Sequence, residues 1–372
     1  ESVVRVLRSG RLALGPAIER FEHEIAAYTG TKHAIAVNSC TSALHLIIRA
    51  LDIGKDDAVI TTSFSFIASS NCIRYEGALP LFLDVEETTG NLDPARVRNY
   101  LEKGTEQKNG KLFDRRSGKR IKAILLVHVF GHPARLDEFL ELCKEYDLAL
   151  IEDSAEAIGS QYKEKRVGGF GKAGIFAFYP NKQITTGEGG VIVTDDDDME
   201  QRCRSLSNQG RGEGDEWLSH VTVGYNYRMS DLQAALGRSQ LARVESFIDK
   251  RAKVAAMYEE LLKGTAIETP KVEGYVTRMS WFVYVVRLPK GIDRDEVAKR
   301  LEKKGVPTRP YFNPIHLQPA YAELDCTREK LVVTEMLGER SLALPFHNNL
   351  SRKEIEDVVS SLKEAMQGDI HG

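Results

Sequence analysis

Over its first two thirds the chain alternates short, wholly apolar runs with helical stretches, and this alternation limits what it can fold into more than any other feature. "HAIAV" (33–37) precedes "NSCTSALHLIIRAL", in which Leu44, Ile47, Ile48 and Leu51 recur at helical spacing. "DAVIT" (57–61), "LPLFLDV" (79–85), "KAILLVHV" (122–129) and "LALIED" (148–153) read as further strands, with helical "RLDEFLELCKEYD" between the last two. Two more runs, 175–179 and 191–194, flank a glycine-rich loop. Strands apolar on both faces must be covered on both faces, which predicts an α/β fold with a mainly parallel mixed sheet clad in helices. A long helical stretch (230–264) ends the pattern. Beyond it, "WFVYVVRL" (281–288) reads as a strand and 293–305 and 352–367 as helices. The expected organisation is a large domain over 1–244 and a smaller C-terminal α+β domain over 245–372. The polar stretch 104–120 carries six basic and two acidic residues and reads as a surface hairpin or loop insertion rather than a binding patch.

With 372 residues, 42% hydrophobic and 28% charged, the chain has material for a large core. Lys plus Arg number 51 and Asp plus Glu 54, a net charge of −3, which gives neither nucleic acid nor an anionic membrane a reason to bind. No apolar run approaches the ~20 residues of a membrane span. The opening "ESVVRVLRSGRL" lacks the apolar core of a secretory leader. The five cysteines (Cys40, Cys72, Cys143, Cys203, Cys326) are scattered, without a CxxC pair, so a disulfide framework or zinc site is not expected and a reducing cytoplasm is. His128 and His132 are four apart, but Gly131 and Pro133 break any helix that would align them, so no metal site is expected.

Lys182 stands where the run 175–179 ends, and strands of such sheets end at the ligand crevice. Gly187, Gly189 and Gly190 nearby allow close backbone approach. A lysine there is either a solvated surface charge or a desolvated amine able to form a Schiff base with an aldehyde. Asp153, at the end of "LALIED", is either a helix cap or a buried anion. Together the two match the needs of pyridoxal 5'-phosphate (PLP): an amine for its aldehyde and an anion for its ring nitrogen. "NSCTSALHL" runs from strand through small polar residues into helix, a phosphate-attracting start to which Thr41 and Ser42 add hydroxyls. Phe64 and Phe66 follow a strand, and one of them could stack on a ring.

These motifs resemble those of the DegT/StrS-type nucleotide-sugar aminotransferases, which have the fold type I PLP architecture. The resemblance runs nearly end to end, through "SGRLALGPAIERFEHEIAAYTG", "NSCTSALHL", "VFGHPARLDE", "IEDSAEAIGS", "FAFYPNKQITTGEGGVIVTDD", "GYNYRMSDLQAALG" and "RPYFNPIHLQPAY". It implies that Lys182 carries the Schiff base and shuttles a proton, Asp153 pairs with the pyridinium, and Phe66 stacks on the ring. It further implies that Thr41 and Ser42 hold the phosphate, and that Asn226 reaches the phosphate in the neighbouring subunit of a homodimer. Arg309, Tyr311 and His316 lie in the segment that resembles the family's sugar-facing loop. The implied reaction moves an amino group from L-glutamate to a nucleotide-linked ketosugar, for polysaccharide, glycan or secondary-metabolite biosynthesis. Ala177 stands where the family often has a phosphate-binding serine. Glu156 stands where it often has glutamine or histidine near the ring hydroxyl, and there a carboxylate needs a proton, a cation or the substrate to face. "EDSAEA" is more like enzymes that aminate carbon 4 than carbon 3. The competing readings are a PLP sugar dehydratase of the same fold, against which Lys182 argues because some of those enzymes carry histidine there, and a non-catalytic PLP-bound regulatory protein.

Overall fold

A computed structural model describes residues 1–212 and 219–367. Seven strands lie side by side in the order His33–Val37, Gly190–Thr194, Ala173–Ala177, Ala149–Asp153, Arg120–Val127, Asp57–Thr62, Leu79–Leu83. Neighbours from Ala173–Ala177 to Leu79–Leu83 pair in parallel. Gly190–Thr194 runs antiparallel to both strands beside it. Alternate residues of one strand feed opposite faces, as the two-residue strand period requires. Ala123, Leu125 and Val127 pack with the helix Cys40–Ala50 on one face, and Ile124 and Leu126 with the helix Leu136–Tyr146 on the other. The mixed, mostly parallel sheet and its helical cover are therefore as the apolar runs require.

The stretch 104–120 forms a hairpin, Thr105–Lys108 with Lys111–Asp114, joined to the main sheet where Phe113 pairs with Arg120. Its inner end is anchored: Asp114 accepts hydrogen bonds from Arg328 Nη2 (2.8 Å) and Nε (3.1 Å) and from the Tyr100 hydroxyl (2.8 Å).

Two expected elements differ. The helical stretch 230–264 is two helices, Asp231–Leu241 and Val244–Leu262. Their break at Ala242–Arg243 carries no glycine or proline to announce it. Val244 and Ile248 of the second helix pack with the large sheet's cover, while Val254, Tyr258 and Leu262 pack in a separate C-terminal core, so this helix serves both. In "WFVYVVRL" only Tyr284–Arg287 is a strand, paired with Ser341–Leu344. Trp281 takes φ 53°, which ends the extended chain there and lets Phe282 point elsewhere.

Candidate active site

The sheet register gathers the expected residues at one edge. Gly190 is opposite both Val37 and Ala177, and Asp153 is opposite Ile175. The start of the helix Cys40–Ala50, the lysine loop and Asp153 thus leave from adjacent strand ends. The loop is closed by backbone bonds from Phe178 N–H to Gly189 O (3.0 Å) and from Thr186 N–H to Phe178 O (3.0 Å), and Lys182 N–H donates to Tyr179 O (2.9 Å). At Gly190 a Cβ would lie 2.6 Å from Cys40 N, so glycine is what lets this strand approach the first helical turn.

Lys182 is held inward, its side chain 13% exposed. Its amine donates to Glu156 Oε1 (3.3 Å) and lies 4.0 Å from the centre of the Phe282 ring. The second Glu156 oxygen accepts from Phe130 N–H (2.9 Å). Burial pushes the Glu156 carboxyl above its usual range, and Lys182 pulls it back. Of the conditions a carboxylate at 156 requires, this chain meets one: it faces a cation.

Asp153 is buried. Its Oδ2 accepts from Ser69 Oγ (2.7 Å) and its Oδ1 from Ala155 N–H (3.1 Å). Burial raises its carboxyl above the usual range, against these two bonds and the more distant charge of Lys182. Among the described residues no basic side chain forms an ion pair with it. A buried carboxylate held only by neutral donors suits a cationic ring N–H.

At the helix start, Ser39 is the N-cap and accepts from Ser42 N–H (3.1 Å); the two hydroxyls are 2.9 Å apart. Ser42's hydroxyl is therefore shared rather than free. The N–H groups of Cys40 and Thr41, in the first turn, have no intrahelical acceptor and can receive an anion. The Cys40 thiol is pushed up by burial and by Asp153, so it stays protonated. Strand-end lysine, buried carboxylate and helix start fit PLP as a donor set.

The other expected residues divide. Phe66 is 63% exposed beside the helix that carries Ser69, whereas Phe64 is buried against Phe130 and Phe312. Tyr311 reaches the site. It stacks near Phe130 and Phe282, and its phenol is raised by burial and then by Glu156. His316 instead braces the loop after Asp57–Thr62, with Nδ1 2.7 Å from Ser63 Oγ. Arg309 is exposed, and its side chain donates to Thr308 O. Asn226 is exposed, its backbone is bridged to Asn208, and its side chain makes no hydrogen bond among the described residues.

Ser39, Ser69, Phe282 and Gln183 are among the site's residues that the sequence reading does not single out. Gln183 donates to Glu156 O (2.6 Å) and Ser280 Oγ (2.9 Å). Ser39 was legible as a serine before a helical stripe. Ser69, four residues after Ser65, had a weak signal. Phe282 had none, since it arrives from a hundred residues away.

Residues 1–363 match the DegT/DnrJ/EryC1/StrS aminotransferase family. GDP-perosamine synthase of Caulobacter vibrioides is 38% identical over 358 residues, covering 95% of this chain and 91% of that protein. Streptomyces venezuelae dTDP-3-amino-3,4,6-trideoxy-alpha-D-glucose transaminase is 35% identical, covering 98% and 90%. Among solved structures, S. venezuelae DesV in complex with a ketimine intermediate superposes with TM-score 0.87 at 35% identity, covering 98% of this chain and 92% of that one. A Brucella abortus DegT DnrJ EryC1 StrS aminotransferase superposes with TM-score 0.89 at 28% identity, covering 98% and 94%. The chain belongs to the DegT/DnrJ/EryC1/StrS aminotransferase family and is a PLP-dependent aminotransferase of fold type I.

Proposed function

We propose that this enzyme transfers the amino group of L-glutamate to the keto carbon of a nucleotide-linked ketosugar, at carbon 4 in preference to carbon 3. The observation that carries the chemistry is an inward-held lysine amine at the same sheet edge as a buried Asp153 that forms no ion pair among the described residues. Sugar transamination is supported by relatives named for it. GDP-perosamine synthases recur among them, and the 35% identical 3-amino transaminase keeps the carbon-3 arm of the test open.

When bound, PLP supplies an aldehyde that condenses with amines and a protonated ring that accepts electrons. Lys182 holds the aldehyde and, once released, carries the proton between the donor's α-carbon and the sugar carbon, acting first as base and then as acid. Asp153 keeps the ring nitrogen protonated. The N–H groups of Cys40 and Thr41, with the hydroxyls of Thr41 and Ser42, bind the phosphate, and Phe66 covers the ring. Ala177 adds no side-chain donor, which leaves more of the phosphate to backbone N–H groups. Tyr311, with Arg309 and His316 on the same segment, borders the sugar.

Two copies of the chain share the site in this reading, with Asn226 reaching the partner's phosphate. Other large apolar side chains are exposed: Tyr75, Tyr179, Val221 and Val223. Covering them is what a second copy would do. Five free thiols suit a reducing, cytoplasmic setting. Among the described residues no helix is long and apolar enough to cross a membrane.

The test is a panel of nucleotide-linked 4-keto and 3-keto sugars with glutamate, products read by mass spectrometry and NMR. Amination of a 4-keto sugar is expected, and its loss in Lys182→Ala with circular dichroism unchanged. No amination across the panel, or full turnover by Lys182→Ala, refutes the reading.

A further inference from the structure

The amine of Lys182 does not point into open solvent; it sits in a built recess. Glu156 Oε1 accepts from it at 3.3 Å on one side, and the Phe282 ring lies 4.0 Å away on another. Both walls are fixed by contacts that do not involve the lysine. Glu156 is pinned through Phe130 N–H (2.9 Å), and its own carbonyl accepts from Gln183. Phe282 is supplied by the C-terminal part of the chain, and three sets of bonds hold its segment. Arg251, buried, donates Nη1 to the carbonyls of Trp281 (3.1 Å) and Phe282 (3.0 Å). Ser280 N–H donates to Ser160 Oγ (3.0 Å), and Ser280 Oγ accepts from Gln183. A carboxylate and an aromatic face both favour an ammonium over a neutral amine.

We propose that Glu156 and Phe282 form a dock for the Lys182 amine, receiving it as an ammonium whenever it is released from the cofactor, and that Arg251 positions the aromatic wall. The dock holds the proton that the amine takes up, at a fixed place, until it is returned. It also explains how a carboxylate is accommodated at position 156, opposite the lysine. This deepens the transaminase reading and rests on it. The other titratable groups facing the amine are Asp153 and Cys40, with Tyr311 beside Glu156 and Arg309 beside Tyr311.

The experiment measures residue-resolved acylation of Lys182 by acetic anhydride at neutral pH, by mass spectrometry, in the full chain without cofactor, with exposed Lys290 as the internal reference. In Glu156→Gln, which keeps the side chain's size, labelling should speed up by about tenfold or more, about the value of one hydrogen bond to a charged group. In Phe282→Leu the gain should be about threefold, and Phe282→Tyr, which keeps the ring, should retain the parental rate. Loosened packing alone would speed labelling in Phe282→Leu but not in the isosteric Glu156→Gln. Glu156→Gln and Phe282→Leu rates equal to the parent's overturn the dock. The transaminase reading is checked separately: a parent chain that never turns yellow with PLP sinks that reading, while the labelling rates need no cofactor.

Discussion

Replacing Arg328 by methionine should destabilise the protein severely although Arg328 is remote in sequence from Lys182. Asp114 and Arg328 are a buried ion pair, their side chains 1% and 3% exposed. Burial alone would raise the Asp114 carboxyl, but its bonds to Arg328, Ser117 and Tyr100 hold it below the usual range. Removing the guanidinium strands that carboxylate, which costs about 3–5 kcal/mol for a buried pair broken on one side. The double variant Asp114→Leu with Arg328→Met should recover most of this loss, since a buried pair is worth little net against a hydrophobic replacement. The pH dependence has a definite sign. A depressed carboxyl contributes stability above its unfolded value of about 4, and that contribution disappears as pH falls through the folded value. In Arg328→Met the stranded carboxyl titrates higher, so acidification relieves it. The gap between parent and variant is therefore widest at neutral pH and narrows below about pH 5. Urea unfolding followed by far-ultraviolet circular dichroism reads both quantities. A loss under about 1 kcal/mol at neutral pH, or a gap that widens in acid, refutes the reasoning that the 105–114 hairpin is locked to the C-terminal loop by this pair.

Two further outcomes concern the site. Ser69→Ala removes a donor that favours ionised Asp153, so the acid limb of kcat/KM should move to higher pH and activity below neutrality fall by roughly tenfold, about the value of one hydrogen bond to a charged group; an unmoved acid limb counts against Asp153 acting as the carboxylate. If Asn226 serves the partner's site, Lys182→Ala and Asn226→Asp, each inactive alone, should recover up to roughly a quarter of parental activity when co-refolded, because half the dimers are mixed and each has one intact site; no recovery from verified mixed dimers removes the cross-subunit role.

The local parts of this molecule were readable because local physics writes them. Burial on both faces makes residues 123–127 of the strand Arg120–Val127 apolar throughout, and the carboxyl ends of such strands are where a crevice opens, so Lys182 and Asp153 could be brought together from sequence. What the sequence concealed has a common cause. Trp281 turns the chain at φ 53°, and neither β-propensity nor alternation registers one left-handed residue inside "WFVYVVRL". That turn aims Phe282 across a hundred residues of sequence onto Lys182, with Arg251 holding the two carbonyls that follow the bend. The hairpin at 105–114 shows the same limit. Its polar composition marked it as surface, but its anchor is one buried carboxylate met by an arginine 214 residues away. In each case an element's position in sequence predicts its own conformation, while its purpose is set by a single distant side chain. The departure at Glu156 therefore could not be interpreted within its motif. A carboxylate is tolerated there because the lysine and the aromatic wall it meets come from two other stretches of chain, and its effect on the reaction should follow those partners rather than the letters around it.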